Sequence, residues 1–384
     1  MRSFLSVLSV FAVSLTALTP AACGQSYDSA KHDYRLTEVV SGLENAWALA
    51  FLPNGDMLVT ERPGRLRLVK DGVLQDAPVS GVPDVFARGQ GGLLDVVLHP
   101  DFDSNSLVYI SYSKPQGETA STTAVIRGQY ADGALTGVEE VFEAVSSGRG
   151  HYGSRLAFDA DNYLFISVGD RQDPPRGDLE AHSAQDRANH HGTISRIHDD
   201  GRIPEDNPFV GVDGVQPSIW SFGHRNPQGL AFHPETGDLW STEHGPQGGD
   251  EFNLILPEIN YGWPVIGYGV NYRSGSAIHE STHREGMEQP KHFWVPSIGT
   301  SGLVIYDGDV FPEWKGDALA GGLRGAQVAR LELDGQSVTL EETLAQGAGR
   351  VRDVRQGPDG YVYIVLDAAG GRSVVRMEPV TGTD

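Results

Sequence analysis

A pattern of two short alternating runs joined by a turn recurs six times along the chain, and this repeat restricts the fold more than any other feature. In each copy, apolar residues alternate with polar ones, a turn containing Pro, Asp, Asn or Gly follows, and a second alternating run ends the unit. Alternation with a period of two on both sides of such a turn predicts a β-hairpin. The copies lie at 48–60, 94–111, 156–168, 230–242, 303–311 and 354–365, and the copy at 303–311 is degenerate.

Six hairpins at these intervals predict an all-β fold, a six-bladed β-propeller, in which each blade is a four-stranded sheet. The intervals that follow the second to fourth copies are longer than the others, so we expect insertions there. Insertions on a repeat scaffold tend to collect on one face, often the binding face. A tandem β-sandwich is the alternative, but no Pro-, Ser- or Gly-rich linker divides the chain. We therefore expect residues 24–384 to form a single propeller without any helix longer than a turn or two.

The N-terminus has the features of a secretion signal. Arg2 precedes an apolar stretch, 4–18, that is too short to span a bilayer and leads into small residues. The only cysteine, Cys23, follows the sequence Pro-Ala-Ala and resembles a bacterial lipoprotein processing site, although such sites usually carry Leu where this chain has Pro20. Cleavage of an ordinary signal peptide nearby is the alternative. We expect residues 1–23 to be a signal peptide and the mature protein to be exported, as a periplasmic protein or an outer-membrane lipoprotein.

The charge of the chain limits the partners it can have. A formal net charge of -22 argues against nucleic acid, because binding to phosphates needs clustered Lys and Arg. The same charge disfavours docking to an anionic membrane surface, so we expect membrane contact only through a lipid anchor at Cys23. A single cysteine also rules out a disulfide framework.

The insertions and the hairpin edges beside them contain almost all of the chemically suggestive residues. His151 opens the third hairpin, and histidine is the side chain best suited to accept a proton near neutral pH. Arg350 and Arg352 alternate on a predicted strand, so both would point to one face and offer their guanidinium groups to carboxylates. The turn Gly245-Pro246 leaves main-chain oxygens free, and Ca²⁺ accepts such oxygens as ligands. Each feature alone has an ordinary structural explanation, and only their joint occurrence indicates a catalytic site.

Other polar residues are better explained by structure. His99 and His233 occupy His-Pro turns of the repeat. The pair His190-His191 suggests zinc, but no third ligand stands at metal spacing, so we expect loop residues. The segment 159–162 resembles the start of a calcium loop, yet it lacks the required Gly and distal Glu, and a repeat turn accounts for it.

Six motifs follow one another in a fixed order between about Leu43 and Asp367. Together they resemble the glucose/sorbosone dehydrogenase family of soluble quinoproteins, and within it the bacterial aldose sugar dehydrogenases. Any single motif would be weak evidence, whereas several in the right order are strong. The resemblance implies pyrroloquinoline quinone, bound without a covalent link at one end of a six-bladed propeller. The motifs are Gln90–Leu94, His151–Leu156, Gly223–Leu230, His244–Pro246, Asn260–Pro264 and Arg350–Asp353.

The resemblance also implies roles for individual residues. His151 is expected to be the catalytic base, and Arg225 to stabilise negative charge on the quinone. Gly245 and Pro246 are expected to offer main-chain oxygens to a Ca²⁺ that the cofactor also ligates. The expected quinone contacts are Gln90, Arg225, Asn226, Tyr272 and Arg324, with Arg350 and Arg352 on its carboxylates; Glu251 and the main-chain oxygen of Tyr261 match a second, structural Ca²⁺ site.

Two positions depart from the family pattern. Gly150 stands directly before His151, where the soluble glucose dehydrogenases carry an acidic residue, and this puts a preference for glucose in doubt. Arg324 stands where those enzymes have a Lys among the cofactor contacts. Arg is not equivalent to Lys, but it still supplies positive charge to an anionic cofactor.

The expected reaction is oxidation of an aldose at C1 to an aldonolactone, by hydride transfer to the quinone with His151 as general base. The electrons would then pass to an acceptor that the sequence does not identify. One alternative is a calcium-dependent propeller lactonase, which needs several side-chain carboxylates or amides around one metal and leaves Arg350 and Arg352 without a role. Another is a non-catalytic propeller that binds sugars or a partner protein, which the fold alone does not exclude.

Overall fold

The computed structural model describes residues 26–368 and 372–380, so the predicted signal peptide, 1–23, lies outside the described residues. The strands form six small sheets, and the first strands of neighbouring sheets contact one another in cyclic order. The predicted six-bladed β-propeller is therefore confirmed. Within the described part, no helix is long and apolar enough to cross a membrane. Helical structure there consists of α1 (Phe102–Asn105) and the 3-10 turns Leu179–Ala181, Ser183–Gln185 and Pro312–Trp314.

Two short strands, β1 (Ser26–Tyr27) and β2 (Tyr34–Ser41), precede the first blade. Blades 1 to 3 follow in chain order, and within each blade consecutive strands are antiparallel neighbours. Blade 1 contains β3 (Ala46–Phe51), β4 (Met57–Glu61), β5 (Arg65–Lys70) and β6 (Val73–Leu74); blade 2 contains β7 (Leu93–Leu98), β8 (Leu107–Gln116), β9 (Ala120–Ala131) and β10 (Ala134–Glu143); blade 3 contains β11 (Leu156–Phe158), β12 (Tyr163–Val168), β13 (Thr193–His198) and β14 (Ile219–Phe222).

The last three blades repeat this order, and the sixth is completed by the N-terminal strands. β2 pairs antiparallel with the last strand of the chain, from Tyr34 opposite Pro379 to Ser41 opposite Arg372. This pairing joins the two ends of the chain without a covalent bond and covers an otherwise open sheet edge. Blade 4 contains β15 (Pro227–Phe232), β16 (Leu239–Glu243), β17 (Asp250–Ile255) and β18 (His292–Trp294); blade 5 contains β19 (Thr300–Ile305), β20 (Ala318–Gly322), β21 (Gln327–Asp334) and β22 (Ser337–Leu344); blade 6 contains β23 (Val351–Gln356), β24 (Val362–Leu366) and β25 (Arg372–Pro379).

The predicted hairpins agree with the first two strands of the blades, with one difference. In blade 5 the second strand, β20, begins at Ala318, beyond the predicted copy at 303–311. The chain between β19 and β20 instead buries Phe311 and Trp314 in a cluster with Tyr34. This cluster packs blade 5 against the N-terminal strand of blade 6, which explains why the hairpin there is degenerate.

A network of buried charges holds the inner strands together. Arg155 lies 3.2 Å from Asp95 of β7 and 3.0 Å from Asp353 of β23, and Arg355 bridges the same two carboxylates. Removing either partner of such a pair would leave a buried charge uncompensated. Arg155 also donates from Nη2 to the main-chain oxygen of Arg352, so this network fixes the segment after His151 against blade 6.

Candidate active site

A cavity of about 410 Å³ lies at the end of the ring where the insertions 169–192 and 256–291 meet. Two predicted insertions thus lie at one end, as expected for a binding face. Five of the twelve predicted site residues line this cavity: Gln90, His151, Arg225, Pro246 and Tyr272. Its walls include Gln90, His151, Asp170, Gln172, Arg225, His244, Pro246, Trp263 and Tyr272.

His151 is held in a single orientation from three sides. Its main-chain N–H donates to Oε1 of Gln90 at 2.7 Å, and its backbone has a φ of 44°, in the left-handed region. Its Nδ1 lies 2.6 Å from Oδ1 of Asp170, whose Oδ2 accepts a hydrogen bond from the indole of Trp263 at 2.8 Å. Arg171 donates to the main-chain oxygens of Gly150 and His151 at 2.5 and 2.9 Å. These contacts fix both the ring and the loop that carries it.

The electrostatic surroundings keep His151 neutral. Burial lowers the pKa of His151, and the nearby charge of Arg225 adds to this effect, while Asp170 opposes it without reversing it. Burial alone would raise the pKa of Asp170, but its interaction with His151, which beside a neutral ring is the hydrogen bond from Nδ1, and the charge of Arg225 lower it. We therefore assign a neutral imidazole that donates from Nδ1 to an ionised carboxylate. Nε2 makes no hydrogen bond to any described residue, so its lone pair is available for a proton.

Arg225 and His244 also line the cavity. Arg225 donates from Nη1 to the main-chain oxygens of His244 and Gly245, at 3.0 and 2.6 Å, and its guanidinium lies over the ring of Trp263. Burial, together with the charges of Arg225 and Arg352, lowers the pKa of His244 to about 3. Nε of Arg225 and Nε2 of His244 are buried without a hydrogen-bond partner in the described part. Buried polar atoms normally have partners, so this wall suits a ligand rich in hydrogen-bond acceptors.

Arg350 and Arg352 both lie near the carboxylate of Asp367, at 3.6 and 3.5 Å. Arg350 directly precedes β23, which begins at Val351, and neither arginine belongs to the wall of the large cavity, so their contact with a cofactor stays a prediction. Arg352 is buried and donates to Oε1 of Gln228 at 2.8 Å, whereas the side chain of Arg350 is 55% exposed. Burial lowers the pKa of Arg352 to about 10, although Asp367 opposes this shift. Arg62 adds a further positive charge beside Arg352 and Asp367, which the sequence did not indicate. One carboxylate thus faces three arginines, which leaves positive charge for an anionic ligand.

Asn226 and Arg324 have different surroundings from the other predicted contacts. Asn226 is buried, and its Oδ1 accepts a hydrogen bond from the main chain of Gly153 at 3.1 Å, so it shapes the segment next to His151. Arg324 is exposed and does not belong to the wall of the cavity. Direct contact of either residue with a cofactor stays a prediction.

The residues predicted to bind metal surround a second, much smaller cavity of about 20 Å³, which is the scale of one water molecule or ion. Glu251, Tyr261 and Gly245 line it, and so does Glu243 of β16, which the sequence analysis had not selected. Burial and the neighbouring charge of Glu243 raise the pKa of Glu251 well above its usual range. Nδ2 of Asn253 bridges the two carboxylates at 3.0 and 3.2 Å.

The donors around this small cavity are oxygens. Within the described residues there is no group of three or more His, Cys, Asp or Glu side chains that could hold a metal ion, so a cation there needs main-chain oxygens as well. The main-chain oxygens of Gly245 and Pro246 accept hydrogen bonds from Arg225 and from the Tyr272 hydroxyl, at 2.6 and 3.0 Å. The carboxylates of buried Glu243 and half-buried Glu251, with main-chain oxygens nearby, match the preference of Ca²⁺ for oxygen ligands.

Comparison with known proteins assigns this arrangement to a family. The sequence model described as glucose/sorbosone dehydrogenase matches residues 43–376, nearly the whole described chain. The chain belongs to this family. The predicted family is thereby confirmed, and with it the prediction of a sugar-oxidising oxidoreductase.

Relatives within the glucose/sorbosone dehydrogenase family are similar along almost their whole length. An aldose sugar dehydrogenase of Escherichia coli is 43% identical over 346 residues, covering 88% of this chain and 91% of the relative. The crystal structure of the soluble aldose sugar dehydrogenase from Escherichia coli in the apo form has a TM-score of 0.84 at 40% identity, covering 90% of this chain and all of that one. The aldose sugar dehydrogenase of Streptomyces coelicolor, solved in its form bound to pyrroloquinoline quinone, has a TM-score of 0.75 at 27% identity, covering 90% of this chain and 98% of that one.

The structure adds members of the site that sequence reasoning missed. Asp170, Trp263 and Glu243 are each separated from their partners in the chain by many residues. Asp170 lies just after β12, 19 residues from His151 in the chain, and no spacing pattern in the sequence links the two. His190 and His99 make contacts of the structural kind that the sequence analysis expected. Nδ1 of His190 accepts a hydrogen bond from the main-chain N–H of Val145, and Nδ1 of His99 accepts one from the main-chain N–H of Asp101.

Proposed function

We propose that this protein oxidises aldose sugars at C1 to aldonolactones, using pyrroloquinoline quinone and Ca²⁺. One observation carries the proposal above all others. The neutral ring of His151 is fixed through Nδ1 by Asp170, and it lines a cavity that the positively charged Arg225 lines as well. A general base and a site for developing negative charge thus line the same cavity, as a hydride transfer from a hydroxyl-bearing carbon requires.

The residues present suit the quinone. The Nε atoms of Arg225 and Arg352 and Nε2 of His244 are buried without a partner among the described residues. The two guanidinium groups suit a ligand that carries oxygen acceptors. When bound, the quinone supplies a two-electron acceptor for the hydride that leaves C1. Arg350 and Arg352 would hold its carboxylates, and Gln90, Arg225, Asn226, Tyr272 and Arg324 would contact the rest of it.

Residues of the protein accept the proton of the C1 hydroxyl and stabilise the charges that develop during the reaction. Nε2 of His151 accepts the proton of the C1 hydroxyl as the hydride departs from C1, so the C1–O bond becomes a lactone carbonyl. Asp170 stabilises the imidazolium that forms. Arg225 supplies positive charge without having to move, because its Nη1 is already held by main-chain oxygens.

Two calcium positions follow from the oxygen donors. We infer that the main-chain oxygens of Gly245 and Pro246 bind a Ca²⁺ next to the quinone. We infer that Glu251 and the main-chain oxygen of Tyr261, together with Glu243, bind a structural Ca²⁺ in the small cavity. Burying two carboxylates side by side is costly unless a cation compensates them.

A lactonase finds less support. The carboxylates of Glu243 and Glu251 would suit a metal in either enzyme, but a lactonase would leave the arginines near Asp367 without a ligand. We further propose that the protein acts after export, in the periplasm or anchored by a lipid at Cys23. It would take an aldose as its small-molecule substrate, pass its electrons to a separate oxidant and have no nucleic acid partner.

Reconstitution tests the proposed function directly. Purified apo protein is mixed with pyrroloquinoline quinone and Ca²⁺, and reduction of an artificial dye is followed with a panel of aldoses. We expect dye reduction that requires the aldose, the quinone and Ca²⁺ together, with aldonolactone as the product. Lactone hydrolysis without quinone would support the lactonase, and sugar binding without oxidation would support a binding protein.

A further inference from the structure

The side chain of Gln172 occupies the space beside Gly150, the position at which this chain departs from the family pattern. A Cβ atom on Gly150 would overlap the Gln172 amide, 2.7 Å from Nε2 and closer still to Cδ and Oε1. Gly150 itself does not have a positive φ, so its backbone would accept a larger residue. A side chain at position 150 would therefore displace the Gln172 amide.

The backbone of Gln172 is also held in an unusual conformation. Arg171 and Gln172 both lie in the left-handed region, with φ values of 59° and 62°. The main-chain N–H of Gln172 donates to Oδ1 of Asp170 at 2.8 Å, and this same oxygen binds His151. Residues in this region persist only where their surroundings hold them, and they cluster at functional sites. The contact with Asp170 ties the position of Gln172 to that of the base.

The amide of Gln172 is available to a ligand. Its side chain is exposed, lines the same cavity as His151 and Arg225, and makes no hydrogen bond to any described residue. An amide offers two donors and an acceptor, whereas a carboxylate offers acceptors alone. A sugar hydroxyl both donates and accepts, so an amide can bind it in either direction. Because the amide is neutral, it adds no charge near His151, whereas a carboxylate at this position would add a negative charge.

We propose that the side-chain amide of Gln172 hydrogen-bonds a ring hydroxyl of the aldose, and that Gly150 determines where this amide lies. This inference rests on the proposed function, because it concerns the sugar at that same site. Gln172 and Gly150 together would then set which aldoses the protein prefers, in place of the acidic residue of the soluble glucose dehydrogenases.

The test uses holoenzyme reconstituted with quinone and Ca²⁺, and D-glucose with its 2-, 3-, 4- and 6-deoxy analogues as probes. The variants are Gln172→Ala, Gly150→Ala and the double variant. The control is Gln129→Ala, an exposed glutamine of β9 outside the cavity. Loss of one neutral hydrogen bond should lower kcat/KM for glucose about two- to tenfold in Gln172→Ala, mainly through KM. For one deoxy analogue, kcat/KM should be the same in wild type and Gln172→Ala, because that analogue lacks the hydroxyl that the Gln172 amide binds.

Gly150→Ala should reproduce the change in selectivity and add nothing to Gln172→Ala, because it acts by moving the amide. Quinone affinity, measured by titration of apo protein, should match wild type in all variants. An equal loss for every sugar, or no loss for any, would overturn the role of Gln172 while leaving sugar oxidation by the wild type intact. Failure of the reconstituted wild type to oxidise any sugar would overturn the proposed function itself.

Discussion

Nδ1 of His151 and Oδ1 of Asp170 lie 2.6 Å apart, and neither side chain is more than 10% exposed. A carboxylate this close to one ring nitrogen fixes which nitrogen carries the proton. It leaves Nε2, on the other side of the ring, as the atom that can act as a base. Trp263 holds the second oxygen of Asp170, so the carboxylate cannot rotate away from the ring without losing a hydrogen bond.

Asp170→Asn should lower the turnover of the reconstituted protein by about 10²-fold or more, the scale of a positioned acid or base. An amide in place of the carboxylate can turn its NH₂ towards Nδ1 and so favour the wrong tautomer. Turnover should be measured with saturating quinone and Ca²⁺, beside Asp161→Asn as a control in an exposed turn. Turnover close to wild type would show that Asp170 does not orient the base.

The pH profile of kcat/KM should report the lowered pKa of His151. The ring acts as a base only when neutral, so activity is retained above its pKa and lost as pH falls through it. Because burial lowers this pKa, the acidic limb should lie below the ordinary imidazole value of about 6.5. Asp170 raises the pKa of His151, so in Asp170→Asn the limb should move to still lower pH. An acidic limb above about pH 6.5 would contradict this electrostatic description.

His151→Ala should separate catalysis from cofactor binding. Turnover should fall by about 10²–10⁴-fold, because the proton of the C1 hydroxyl loses its acceptor. Quinone affinity should change little, since the unpaired guanidinium donors near the site belong to Arg225 and Arg352 and not to His151. Both quantities are measured on the same preparation, by dye reduction and by quinone titration. Near-normal turnover would remove His151 from the mechanism.

The sequence predicted the elements of this structure better than the contacts between them. Alternation of apolar residues specifies a hairpin locally, so the six blades could be recognised from the repeat. The contacts of Asp170 with His151 and of Glu243 with Glu251 could not be recognised from the sequence, because only the packing of loops and strands brings these residues together. The same holds for Arg155, whose two carboxylate partners come from blades 2 and 6. Arg324 shows the opposite case, since a motif match placed it at the cofactor and the structure leaves it outside the cavity wall.

Glu251→Gln should change thermal stability in a way that depends on Ca²⁺. A cation that binds only the folded protein stabilises it by about 2.7 kcal/mol at roughly a hundred times its Kd. With saturating Ca²⁺ the variant should therefore melt below wild type. In excess chelator the gap should close or reverse, because the variant no longer buries two like charges beside each other. Glu285→Gln, at an exposed position, is the control, and an equal gap in both conditions would mean that Glu251 acts through packing.

Arg350 and Arg352 should respond differently to substitution, because one is exposed and the other is buried against Gln228. Arg350→Ala should lower quinone affinity about ten- to a hundredfold at fixed Ca²⁺, by removing a charge-assisted hydrogen bond to a carboxylate. Truncation of Arg352 would leave Oε1 of Gln228 without its donor and remove one of the arginines near Asp367, so Arg352→Lys is the sharper variant. It keeps the charge but loses the planar fork, and it should recover only part of the affinity.

The control for these arginines is Arg202→Ala, because Arg202 is 72% exposed and, like Arg350, pairs with an aspartate. Exposed ion pairs contribute close to nothing, so this variant should bind quinone as wild type does. If the side chain of Arg350 only faced solvent, Arg350→Ala would also leave the quinone affinity unchanged. Unchanged quinone affinity in both Arg350→Ala and Arg352→Lys would therefore exclude the carboxylate clamp, since three arginines around Asp367 would then have no ligand to hold.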